Sequence, residues 1–172
     1  LASLGIPFAP AEKATNPLCP DAQIHGVSYD IVVPNLLHPT ICVKATVHTS
    51  NIGQYGESKD ALEIAEARQS LDSHFNQPPT LLAMIDGVGF RSNRAGLDGV
   101  LQGADEFCQF KTLWKVGVLG AAAVGKTVEL MLPDPDAHRP FLVRYATTIK
   151  LKPSLTGATD WLEAGEGFVR AI

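Results

Sequence analysis

Residues 27–33 form a run of mostly β-branched side chains stopped by Pro34-Asn35, and residues 40–48, after His38-Pro39, form a second. Runs of this kind bounded by turn residues predict the two strands of a hairpin. The second run alternates without a break, with Ile41, Val43, Ala45 and Val47 on one side and Cys42, Lys44, Thr46 and His48 on the other. That pattern predicts one face in the core and the other turned to solvent or to chemistry. After a polar stretch over residues 49–57, Ser58 is a fitting N-cap for a helix carrying Leu62, Ile64, Ala65, Leu71 and Phe75 at helical spacing and ended by Pro78-Pro79. Residues 80–86 are a near-continuous apolar run closed by Asp86-Gly87, the signature of a strand buried on both faces.

Further along, the pattern predicts a short helix over 96–103, a short strand over 107–110, a helix over 112–124 ended by Gly125, a strand over 141–151 and a weak terminal element over 161–170. Upstream, Pro7, Pro10, Pro17 and Pro20 predict an irregular arm over residues 1–23, with at most a short helix at 11–15. The order hairpin, helix, strand, helix predicts an α/β or α+β domain over residues 24–172 with a mixed central sheet.

A chain of 172 residues that is 45% hydrophobic and 19% charged suits one such domain. Its longest apolar stretch, 116–124, falls well short of the roughly 20 residues of a membrane span. The opening Leu-Ala-Ser-Leu-Gly has no basic segment, so a piece of a longer chain is expected rather than a signal peptide. Cys19, Cys42 and Cys108 are far apart and odd in number, which argues against a disulfide framework or a zinc site and for a reducing cytoplasm. The net charge of -4 is unevenly spread: residues 1–106 hold 6 Lys+Arg and 12 Asp+Glu, whereas residues 107–152 hold 7 and 3. A polyanion would meet that second, basic stretch.

With the hairpin turning near Leu36-Leu37, opposing residue numbers add to about 73, which sets Asp30 opposite Val43 and one position from Lys44. An acid and an amine on adjacent strands suit metal-assisted phosphodiester hydrolysis, the carboxylate holding Mg²⁺ against the phosphate and the lysine orienting the attacking water. The same spacing also fits a plain cross-strand ion pair worth under ~1 kcal/mol.

The succession Tyr29-Asp30-Ile31-Val32-Val33-Pro34, Pro39-Thr40-Ile41-Cys42-Val43-Lys44, a Thr/Ser/Gly/Gln segment from Thr49 to Gln54, an Ala-rich helix and Leu82-Ala83-Met84-Ile85-Asp86-Gly87-Val88-Gly89-Phe90 resembles the PD-(D/E)xK nucleases of the type II restriction endonuclease kind. The resemblance is strongest over residues 24–115. It implies a restriction-endonuclease-like α/β fold, a mixed central sheet flanked by helices, and Mg²⁺-dependent cleavage of double-stranded DNA by a homodimer, with Asp30 and Lys44 in the catalytic centre. At one place the chain departs from the pattern: Cys42 stands where the second acid belongs, and a thiol is a poor ligand for a hard cation. Relocated acids in that superfamily come from the following helix, and two glutamates qualify. Glu57, with twelve residues between it and Lys44, is the better spaced and would share the metal with Asp30; Glu63 is the other. If neither serves, the domain is a DNA-binding module that does not cut.

Other side chains invite DNA contact: Thr46, Gln54 and Tyr55 toward phosphates or base edges, and Arg91 and Arg94 toward phosphates. His48 as a ligand and Glu12 as an auxiliary acid are weighed against ordinary solvated roles, which spacing alone favours, and Asp86-Gly87 at a strand end reads as turn chemistry over a metal or substrate role. A rival motif, Gly120-Ala-Ala-Ala-Val-Gly-Lys-Thr127, satisfies the P-loop pattern of nucleotide-binding proteins. Its context is wrong, because only a short segment separates Thr127 from Pro133 where a long helix should begin.

Overall fold

The computed structural model describes residues 1–10, 22–48, 54–91, 94–132 and 136–152. In chain order the elements are β1 (Ala9–Pro10), β2 (Ala22–Ile24), β3 (Val27–Tyr29), β4 (Ile31–Val33), β5 (Ile41–Val47), α1 (Gln54–His74), β6 (Thr80–Asp86), α2 (Arg94–Gly103), β7 (Glu106–Cys108), α3 (Trp114–Ala123), β8 (Val128–Met131), α4 (Arg139–Arg144) and β9 (Ile149–Lys152). The central sheet has the order β1-β4-β5-β6-β7. Pairs β1–β4 and β4–β5 are antiparallel, while β5–β6 and β6–β7 are parallel and joined through α1 and α2. This is a mixed α/β architecture in which helices cover both faces of the sheet.

One face buries Val32, Cys42, Leu81, Ala83 and Ile85 under Ile64, Ala67 and Leu71 of α1 and Val100 of α2. The other buries Val33, Ile41, Val43 and Leu82 under Val116, Val118, Leu119 and Ala121 of α3. Central strands sealed on both sides read as continuous apolar runs, which is why β6 was legible as one. The same sealing corrects the expectation for β5. Its even-numbered face is not open along its length: Cys42 is fully buried beneath α1, and the face opens only from Lys44 onward.

Several boundaries differ from the sequence pattern. The run 27–33 is broken by a bend at Asp30, so β3 pairs with β2 in a separate hairpin while β4 joins the central sheet. The β4–β5 register is Ile31↔Val43, Val32↔Cys42 and Val33↔Ile41, one residue from the expected one, and it sets Asp30 opposite Lys44 rather than Val43. The slip arises in the connecting loop, where Asn35 Oδ1 accepts N–H bonds from Leu37 and His38 and lengthens the turn. Helix α1 begins at Gln54, so Ser58 is inside it and not its cap. Its inward stripe is Asp60, Ile64, Ala67 and Leu71, with Leu62 and Ala65 outside.

Residues 141–151 do not form one strand. Phe141 to Arg144 belong to α4, favoured by Pro140 in its first turn, and only β9 remains extended, parallel to β8. At the chain's start, Ile6 enters the α3 core, and Ala9–Pro10 pairs with β4. The expected elements at 11–15 and 161–170 lie outside the described residues.

The segment Gly120–Thr127 runs from helix to strand, the reverse of a phosphate-binding loop. Gly120 to Ala123 are the last turn of α3. Gly125 then adopts φ 67°, and Lys126 N–H returns to Ala121 O at 2.8 Å, the closure of a helix C-terminus that favours glycine. Lys126 Nζ donates to Gly5 O at 2.5 Å, tying the N-terminal turn to α3 instead of facing a phosphate. Among the described residues no helix is long and apolar enough to cross a membrane.

Candidate active site

Lys44 is the first residue of β5 past the sealed part of its inner face. Its side chain is 18% exposed, its ammonium donates to Ser28 O at 3.1 Å, and Glu63 Oε2 on α1 lies 3.8 Å away. A lysine bent back along a strand and held at both a carbonyl and a carboxylate has its charge fixed in place. Glu63 is shared: Lys59, four residues earlier on the helix, approaches Oε1 at 3.5 Å.

Asp30 sits at the bend between β3 and β4. Its N–H donates to Val43 O at 2.9 Å, and its Oδ2 accepts the Ala45 N–H at 2.7 Å. The carboxylate therefore takes the place of a backbone carbonyl at the edge of β5, one residue from Lys44, and remains exposed. Among the described residues the partners of the Lys44 ammonium are Ser28 and Glu63, so the plain Asp30–Lys44 ion pair is not what joins the two strands.

Four residues on, His48 ends the same face. Its Nε2 is 2.5 Å from Asp60 Oδ2, with the imidazole nitrogen as donor to the carboxylate. Its ring stands edge-on to Phe90 with centroids 5.0 Å apart. Asp60 is buried. Asp60 and Glu63 are three residues apart on one helical face, and neighbours of that spacing have Cβ atoms about 5–6 Å apart. Two acid–base pairs, Lys44–Glu63 and His48–Asp60, thus stand side by side where β5 meets α1. Asp60 was missed by sequence reasoning, although its position in line with Ile64, Ala67 and Leu71 marks it as a polar side chain in an apolar stripe.

Of the two candidate acids, Glu63 is brought to Lys44. Glu57 lies in α1 by its backbone, and its side chain, like those of Gln54, Tyr55 and Arg91, is outside the described residues. Thr46 is half-buried between Lys44 and His48, and Arg94 is exposed at the start of α2. Glu12 and Cys19 are outside the described residues. Asp86 is turn chemistry, as expected: Oδ1 accepts Gly87 N–H and Oδ2 accepts Phe110 N–H, both at 2.7 Å.

Burial pushes the Cys42 thiol up to about 12, partly opposed by Arg68, and the Cys108 thiol up to about 11, partly opposed by Lys115. Almost no thiolate exists at pH 8 in either. Both are expected to resist iodoacetamide in the native protein and to alkylate only after denaturation, as read by peptide mass spectrometry; fast native labelling of Cys42 would show that α1 does not seal it. Mg²⁺ chemistry can be tested against the donors present. Among the described residues no three His, Cys, Asp or Glu side chains cluster as a metal site. Asp30, exposed and opposite Lys44 in register, and Glu63, in contact with the Lys44 ammonium, are nevertheless carboxylates open to solvent, and Mg²⁺ commonly takes one or two carboxylates and completes its shell with water and substrate phosphate. These residues fit that ion, whereas the sealed Cys42 does not. No protein-family model, curated protein or solved structure matches the chain, which leaves geometry and chemistry to speak for the site.

Proposed function

We propose that the chain is a Mg²⁺-dependent endodeoxyribonuclease of the restriction-enzyme kind, cleaving double-stranded DNA at specific sites as a homodimer. The observation that carries this reading is the placement of Lys44 between Ser28 O and Glu63 at the open end of β5, with the Asp30 carboxylate at the facing register position. Glu63 supplies from the helix the acid that Cys42 cannot. The resemblance to PD-(D/E)xK nucleases supports the same assignment.

In this reading Asp30 with Glu63, or with Glu57, would hold Mg²⁺, and the ion would supply Lewis-acid polarisation of the scissile phosphate. Lys44 orients the attacking water and meets the charge that develops on the phosphate oxygens. The two protein contacts that hold its ammonium reduce the reorganisation needed as that charge grows. Thr46, half-buried on the same strand, is assigned to contact with the DNA, as are Gln54, Arg91 and Arg94 by residue type. No membrane takes part, and the protein works in the cytoplasm.

Incubation with plasmid and phage DNA in Mg²⁺ or Mn²⁺ tests the reading. Discrete fragments are expected, lost on chelation with EDTA, with a rate about 10²–10³-fold lower for Lys44→Ala, the scale on which one charge-stabilising group acts. Salt-sensitive retention of DNA with no cutting would replace the enzyme with a DNA-binding module of the same fold.

A further inference from the structure

The hydrolysis proposed above leaves one step unassigned, the removal of a proton from the attacking water. The Lys44 ammonium is held by Ser28 O and by Glu63. The next titratable side chain on the same face of β5 is His48, and its surroundings are those of a held base. Its backbone is clamped on both sides, N–H to Asp86 O at 3.0 Å and O from Gly89 N–H at 3.2 Å. Its ring is seated on Phe90, and its Nε2 is held by Asp60 at 2.5 Å. The side chain is 24% exposed while that of Asp60 is 11% exposed, so of the two the histidine is the more open to solvent.

We propose that His48 is the general base of this hydrolysis and that Asp60 is the residue that positions it, an inference that rests on the reading of the chain as a phosphodiester hydrolase. A carboxylate on Nε2 fixes the tautomer in which Nε2 carries the proton and Nδ1 carries the lone pair. In the step, Nδ1 takes a proton from water as the water oxygen forms a bond to phosphorus. The P–O3′ bond breaks, the 3′-oxygen leaves with the bonding pair and takes a proton from solvent, and the imidazolium returns its own proton to solvent. Asp60 stabilises the imidazolium formed on the way.

The spacing suits the task, since Asp60 and Glu63 are one helical turn apart, which places the base beside the lysine that meets the phosphate. Among the described residues the charged group on the imidazole is Asp60 from α1, and Lys44 lies four residues earlier, on β5. Asp86 at the end of β6 spends both carboxylate oxygens on Gly87 and Phe110, toward the opposite face of the sheet. A His–Asp pair can also serve only to fasten a strand to a helix, and the experiment separates the two roles.

Nicking of supercoiled plasmid is followed with the full chain between about pH 5.5 and 8.5, the range over which imidazoles lose their proton. The wild-type rate is expected to rise with pH. His48→Ala should be about 10²-fold slower, should lose that rise, and should recover at least about tenfold with added imidazole. Asp60→Asn should be about tenfold slower with a displaced profile. If His48→Ala does not fold, His48→Gln, which keeps a donor for Asp60 but has no base, should show the same loss of rate and of pH dependence. A variant that keeps the wild-type profile and gains nothing from imidazole makes the pair a fastening and overturns the proposal while the nuclease stands. A wild-type chain that does not nick DNA overturns both.

Discussion

Cys42→Asp is expected to destabilise the domain by about 4–5 kcal/mol instead of restoring an acid to the site. The thiol is fully buried among Ile64, Ala67, Leu71, Leu81 and Ala83, so a carboxylate there would be an uncompensated buried charge, a change that costs about 3–5 kcal/mol. Arg68 is near enough to lower the Cys42 thiol somewhat, and although its buried Nε and Nη2 lack hydrogen-bond partners, its charge is already offset by Asp72 and Asp105. The new carboxyl would therefore be held largely protonated in the folded state. The folded chain then binds more protons than the unfolded one, so stability falls as pH rises above the ordinary aspartate range. Denaturant titrations at pH 5 and pH 8 should show the variant weaker at both and weaker still at pH 8, with Cys42→Ala losing only about 1–2 kcal/mol. Wild-type stability at pH 8 would mean that position 42 opens onto the site.

The hairpin, the crossover helix and the doubly buried β6 were legible because each carries its own period in the residues it contains. What was not legible depends on how one element lies on another. Nothing in Ile41 to His48 says that α1 seals Cys42 and stops short of Lys44; that boundary is set by where Ile64 and Ala67 land on the strand. Asp60 escaped for a local reason. With Ser58 taken as the cap, Asp60 falls in the first turn, where an acid is welcome to the helix dipole and asks for no explanation. With the helix starting at Gln54, it becomes a polar residue in the apolar stripe and calls for a partner. The Gly120–Thr127 pattern misleads because spacing carries no order of elements, and only the helix before it and the strand after it distinguish a helix end from a phosphate loop. Candidate chemistry was half visible: Asp30, Lys44 and Glu63 follow from spacing and resemblance, whereas the pairing of His48 with Asp60 needed the register of α1 against β5.

Gly87 holds that register at the open end of the sheet, and Gly87→Ala is expected to cost about 3–4 kcal/mol. Its φ is 109°, a conformation that side chains rarely adopt, and a Cβ built there would lie 2.0 Å from His48 O and 2.6 Å from its carbonyl carbon. The obstacle is backbone, so no rotamer change relieves it. Strain at such a φ accounts for about 1–2 kcal/mol. The rest follows from moving the chain away, which breaks His48 N–H to Asp86 O and Gly89 N–H to His48 O, each worth about 1 kcal/mol. Gly26 is the control: its φ is 82°, but nothing lies within 4 Å of its built Cβ, so Gly26→Ala should carry the strain alone, about 1–2 kcal/mol. Denaturant midpoints of the two variants, compared at equal slope, read the difference directly. Because the two bonds at risk clamp the backbone of His48, Gly87→Ala should also slow DNA nicking under conditions where it remains folded, while Gly26→Ala leaves nicking unchanged. Equal stability of the two variants would show that the strand ends of β5 and β6 yield to a methyl group, and a base held by so pliant a support would not be preorganised.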